Sequence, residues 1–126
     1  MTNDMDKDDA IEHQAIANQI ALIREELNKS PPNGSLIFEQ LQNLLNMTAK
    51  HFKHEEDHMV INGYPGILLH RKDHDYLVNG LREFAASVVD DTADLSPSVG
   101  ESLQSWLRLH IKRFDDAYQK FRNETN

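Results

Sequence analysis

The sequence predicts an all-α protein, an antiparallel up-down-up-down four-helix bundle. Turn-forming residues cut the chain into four long segments, each segment spaces its apolar residues at alternating steps of three and four, and strand patterns are absent. The cuts fall at Ser30-Pro31-Pro32-Asn33-Gly34, at Asn62-Gly63-Tyr64-Pro65-Gly66 and at Asp90-Asp91-Thr92-Ala93-Asp94-Leu95-Ser96-Pro97. Connections this short return consecutive helices antiparallel.

The first helix is expected from about Asp9 to Lys29, behind an acidic tail over residues 1–8 that is expected to be mobile. His13, Ile16, Ile20, Ile23 and Leu27 form its inward stripe. The second is expected from about Ser35, a candidate N-cap, to Ile61, with Ile37, Leu41, Leu44, Thr48, His51, Glu55 and His58 on its stripe and Leu45, Phe52 and Met59 beside it. The third, from about Pro65 to Val89, turns Ile67, His70, His74, Leu77, Leu81, Phe84 and Val88 inward. The fourth runs from about Pro97 to Arg122, capped by Ser96, with Leu103, Trp106, His110, Phe114, Ala117 and Phe121 inward. The bundle therefore spans 9–122, and a short tail, 123–126, follows it.

At 126 residues the chain is one domain, long enough to bury a real core. The absence of cysteine excludes disulfides, iron–sulfur clusters and thiol catalysis, so any metal must rest on nitrogen and oxygen. A formal charge of −8, with no face on which Lys and Arg cluster, argues against nucleic acid and against an anionic membrane surface. The opening MTNDMDKDDA is acidic, and no later stretch is apolar for long enough to span a bilayer; the reading is a cytoplasmic protein.

What interrupts the stripes carries the chemistry. One histidine on an apolar face is ordinarily a core histidine with a satisfied hydrogen bond. Here every helix sends at least one inward: His13, His51, His70, His74 and His110, with Glu55 among them. An ionised carboxylate is almost never buried without a cationic partner, and Lys50, Lys53, Arg71 and Lys72 fall off the stripes. A metal ion supplies the missing charge. The pairs His51/Glu55 and His70/His74 are each one helical turn apart, and both lie at comparable distances from the turn joining their helices, so they share a level of the bundle. Imidazole with carboxylate suits iron, copper, zinc, nickel or manganese, but five histidines with two carboxylates exceed what one ion accepts, which implies a dinuclear site.

The residues that carry this pattern resemble the signature of the hemerythrin family. His51-Phe52-Lys53-His54-Glu55-Glu56-Asp57-His58-Met59 reads as HFxxEExxM, Tyr64-Pro65 as YP, His70 to His74 as HxxxH, and Trp106 to Asp115 as WxxxHIxxxxD, with His13 in the place of that family's first ligand. The match departs in helix one, where Asp9-Ala10-Ile11-Glu12 precedes His13 in place of something like Ile-Asp-x-Gln.

The resemblance implies two iron ions with a bridging hydroxide or oxide: His70, His74 and His110 on one iron, His13 and His51 on the other, and the carboxylates of Glu55 and Asp115 bridging them. The iron with two imidazoles then keeps an open position, where dioxygen would bind. Ile16, Phe52, Trp106, Leu107 and Ile111 are expected to wall that position with apolar side chains. His54 is expected to be solvated, and His58 to support the ligands or the bundle end. His110 and Asp115 are five residues apart, about 140° on a regular helix, so either a widened turn lies between them or Asp115 reaches in from the flank.

The function so implied is reversible dioxygen binding by a carrier, store or delivery protein, not an enzyme. The alternative is a sensor of dioxygen, nitric oxide or redox state that acts on a protein partner or on a further domain. A ferritin-like di-iron oxidase ranks below both, because Glu55 to His58 supplies one Glu-x-x-His spacing and a second is missing.

Overall fold

The computed structural model describes the backbone of residues 4–125 and the side chains of residues 8–124. The helices are α1 (Asp4–Leu27), α2 (Gly34–Asn62), α3 (Ile67–Val89), α4 (Pro97–His110) and α5 (Asp116–Thr125), and a π-helical turn (Ile111–Asp115) joins the last two into the fourth rod of the bundle. Among the described residues there is no strand. α1 packs against α2 and α4, and α2 against α3. Between α3 and α4 lies a groove of about 530 Å³ walled by Leu77, Leu81, Phe84, Val99, Leu103 and Trp106.

The helix ends follow local chemistry. α1 begins at Asp4, ahead of the expected Asp9, so residues 4–8 of the expected tail are helical. Asp4, Asp6, Asp8 and Asp9 place acidic residues in its first turns, where the helix dipole favours negative charge. Residues 1–3 of that tail, and 126 of the C-terminal one, lie outside the described residues. Asn33 caps α2 in place of Ser35, its Oδ1 accepting the Leu36 N–H at 3.2 Å. Gly63 ends α2 at φ 64°, a left-handed conformation that a residue without Cβ adopts at no steric cost. Ser96 is the N-cap residue of α4, but its side chain makes no capping bond; its N–H donates instead to Asp94 Oδ1 at 2.9 Å.

The core joins Ile16, Ile20, Ile23 and Leu27 of α1 to Ile37, Leu41, Leu44 and Leu45 of α2, Leu81 and Ala85 of α3, and Leu107 of α4. The expected stripes hold on the first three helices, with His13, His58, Ile67, Phe84 and Val88 only partly buried. On the fourth rod the stripe breaks: Ala117 is exposed, while Tyr118 and Arg122 are buried. The π turn is the cause. It takes in one residue more than an α turn, so positions after it are displaced by one step from the phase of positions before it. Beyond it, Tyr118 accepts a hydrogen bond from Asn62 Nδ2 at 2.8 Å and lies 5.0 Å, ring to ring, from Tyr64.

Candidate metal centre

All seven side chains singled out for metal converge on one layer. His13 comes from α1, His51 and Glu55 from α2, His70 and His74 from α3, His110 from the last position of α4, and Asp115 from the last position of the π turn. Two groups of donor atoms form, each with its members within 4.8 Å of one another: Glu55, His70, His74, His110 and Asp115 on one side, and Asp9, His13, His51 and Glu55 on the other. Asp9 had no signal in the apolar rhythm. Its position four residues before His13, on the same helical face, was the clue available.

Burial is nearly complete for six of the seven, with His51 and His70 at 1% exposure and Glu55 and His74 at 2%, while His13 is half-buried. At such depth polar atoms ordinarily hold a hydrogen bond. Yet both Glu55 oxygens, both Asp115 oxygens and the Nε2 atoms of His13, His51, His70, His74 and His110 have none of acceptable geometry. They stand close without pairing: His74 Nε2 is 3.2 Å from Glu55 Oε1, His70 Nε2 is 3.1 Å from Asp115 Oδ1, and His13 Nε2 is 2.9 Å from Asp115 Oδ2. Donor atoms gathered in one buried layer without pairing are what a cation satisfies, so the donor set fits bound metal.

The outer nitrogens of three imidazoles are held by carboxylates. Glu12 Oε1 lies 2.9 Å from His51 Nδ1, Glu56 Oε2 lies 2.8 Å from His74 Nδ1, and Asp73 Oδ2 lies 2.5 Å from His110 Nδ1. An ionised carboxylate only accepts, so each Nδ1 carries a hydrogen and Nε2 is the nitrogen turned toward the cluster. Each of these acids is the immediate chain neighbour of a cluster residue, Glu12 of His13, Glu56 of Glu55 and Asp73 of His74, and each serves a histidine on the next helix. Glu12 Oε2 also binds His54 Nδ1 at 2.8 Å, so His54, though exposed, is tied to the site and not simply solvated. His58 stands half-buried at an opening of about 150 Å³ lined with Asp8, Asp9, Glu12, His54 and Glu55.

Charges in the layer act on one another at short range. Burial works against ionised Glu55, but the imidazoles of His110, His70 and His74 outweigh it and hold its carboxyl down to about 2. Asp115 is held far below the carboxylate range in the same way, burial being overcome by His110, His13 and His70. Burial likewise opposes charge on His110, and Asp115, Glu55 and Asp73 reverse it, raising the imidazole to about 10. Asp9 goes the other way: burial, then the neighbouring Glu55 charge, push it up to about 6.

Of the five apolar residues expected around the site, Phe52 touches it most plainly, its ring stacked on His74 at 3.7 Å and 4°. Ile16 and Leu107 are core, and Trp106 and Ile111 pack partly buried against that core.

The family model described as the hemerythrin HHE cation binding domain matches residues 9–121. The chain is 38% identical over 80 residues to a myohemerythrin of Sipunculus nudus, covering 64% of this chain and 61% of that one. It is 30% identical over 86 residues to a bacteriohemerythrin of Methylococcus capsulatus, covering 68% and 66%, and 32% identical over 74 residues to a hemerythrin chain of Sipunculus nudus, covering 59% and 56%. The matched stretch thus spans roughly three-fifths of these relatives' lengths. No solved structure matches the chain. Among the described residues no helix is long and apolar enough to cross a membrane. A family match over nearly the whole bundle, on a chain whose buried layer gathers histidines from all four rods together with carboxylates, has one reading: the chain belongs to the hemerythrin family.

Proposed function

We propose that the chain binds dioxygen reversibly at a two-iron centre, with His70, His74 and His110 serving one ion, His13 and His51 the other, and Glu55 and Asp115 both. The observation that carries this reading is the division of the two carboxylates. Asp115 Oδ1 faces His70 and His110 while Oδ2 faces His13; Glu55 Oε1 faces His74 and His70 while Oε2 faces His51. Two carboxylates split in the same sense are the arrangement that spans a pair of ions.

The irons, when bound, would supply the electrons that dioxygen borrows on binding and returns on leaving. The chain supplies the rest. Glu12, Glu56 and Asp73 keep protons on the outer nitrogens of His51, His74 and His110 and so fix the direction of their lone pairs. Phe52 covers the His74 ring, and Ile16 and Leu107 bring apolar surface to this end of the core, which keeps out the water and protons that would make the oxidation irreversible. A histidine-rich donor set with few carboxylates suits reversible binding better than oxidation, since carboxylates favour the higher metal charges.

Elemental analysis of iron-loaded protein, followed by visible spectra as dioxygen is admitted to the reduced form and swept out, tests the proposal. The expected result is about two irons per chain and a spectrum that reverses. A single metal per chain, or a spectrum that never returns, overturns it.

A further inference from the structure

We infer that Asp9 is a further metal ligand, its carboxylate completing the half of the centre held by His13 and His51. This rests on the two-ion reading above and concerns the side of the site that reading leaves short of donors.

The count is uneven without it. One half draws on three imidazoles and one oxygen from each of Glu55 and Asp115, five protein donors in all; the other draws on two imidazoles and the same two carboxylates, which makes four. Asp9 lies one helical turn before His13, on the same face of α1. Its carboxylate belongs to the donor group of His13, His51 and Glu55, whose atoms lie within 4.8 Å of one another. His51 and Glu55 are at least 98% buried, and neither the Nε2 of His51 nor the Oε2 of Glu55 that faces it has a hydrogen bond. Adding Asp9 brings the second half to five protein donors, with the ligand types already present there.

The surroundings say which acid does this. Besides Glu55, three acids line the opening of about 150 Å³ beside the cluster. Glu12 is committed to His51 and His54, and Asp8 is exposed. Asp9 is half-buried, and it alone of the three belongs to the donor group. A carboxylate in that place occupies the position an incoming ligand needs, so entry to this half becomes an exchange: the ligand bonds to the metal as the Asp9 carboxylate comes off it and swings toward the opening.

The test compares iron-loaded parent, Asp9→Ala and Asp8→Ala proteins in the oxidised state. Iron content is measured first, and then azide is titrated by its visible charge-transfer band. Asp8 lines the same opening and carries the same charge, so its variant controls for simple electrostatic relief. Alanine suits both positions of α1, so neither change threatens the helix. The expected result is two irons in all three proteins, azide binding tighter by about ten-fold or more in Asp9→Ala, and little change in Asp8→Ala. Equal azide affinities in parent and Asp9→Ala, or equal gains in both variants, overturn the assignment while leaving the two-ion reading intact. A parent that takes up fewer than two irons overturns both.

Discussion

Asp115 sets its two carboxylate oxygens on opposite duties, one 3.2 Å from the Nε2 of His110 in its own rod and the other 2.9 Å from the Nε2 of His13 on α1. Its removal therefore costs both halves of the centre at once. Asp115→Ala is expected to bring iron down from about two ions per chain to one or fewer, with the helical signal kept. Elemental analysis and circular dichroism check this. A variant that still holds two irons shows that Asp115 does not bridge.

The acids behind the histidines lead to a graded effect. Glu56→Gln and Asp73→Asn each keep a side chain of the same shape but weaken the hold on Nδ1 of His74 and of His110. Metal affinity is expected to fall about 10- to 100-fold in each, with stoichiometry unchanged at saturating iron. Competition with a chelator measures it, and an unaltered affinity in both variants removes these acids from the site.

Acid and base act differently on the protein with and without metal. His110 ionises near 6.5 in the unfolded chain and near 10 in the folded one, so its contribution to stability is full below about 6.5 and is lost as pH rises through about 10. Glu55 moves from 4.5 to about 2, so its contribution is present above about 4.5 and lost as pH falls through about 2. Metal-free protein is therefore expected to be most stable between about 4.5 and 6.5. Iron needs the lone pairs that those protons occupy, so the extra stability of the loaded protein is expected to grow as pH rises. Melting temperatures across pH, with and without iron, should diverge upward; parallel curves contradict this.

Ile16 is 1% exposed and one turn from His13. Ile16→Ala is expected to cost about 2–5 kcal/mol by opening a cavity and, by admitting water near the centre, to speed autoxidation at unchanged iron content. Stability is read by denaturant titration and autoxidation by the decay of the visible spectrum. A parent-like decay with both irons retained places Ile16 in the core alone.

The bundle and six of the seven clustered side chains were legible in the sequence because burial enforces a period; Asp115 stands off that rhythm and came from the family resemblance. His51, Glu55, His70 and His74 stand where leucines would otherwise stand, and a polar residue in an apolar rhythm is visible without coordinates. Three things were not legible in that rhythm. Asp9, Glu12, Glu56 and Asp73 serve partners on other helices or lie at the edge of the stripe, so their roles depend on how helices face one another. The exposure of Ala117 and burial of Tyr118 follow from the π turn; the five-residue step from His110 to Asp115 hints at such a turn, but a stripe drawn at regular α spacing does not carry the shifted phase past it. The earlier start of α1 reflects an acidic run that reads equally as a solvated tail or as a favourable first turn.

The three bonds from Glu12 to His51, Glu56 to His74 and Asp73 to His110 run around the bundle in one sense, from α1 to α2, α2 to α3 and α3 to α4. Together they form a collar. An interface of leucines and isoleucines tolerates a helix rolling about its own axis, because one apolar side chain substitutes for the next with small loss. A collar does not: turning α2 or α3 by a few tens of degrees withdraws both the acid it offers to one neighbour and the histidine it offers to the other. The polar layer thereby sets the azimuth of the rods, and it does so even across the α3–α4 groove, where Asp73 and His110 strap together two helices whose apolar flanks stand apart.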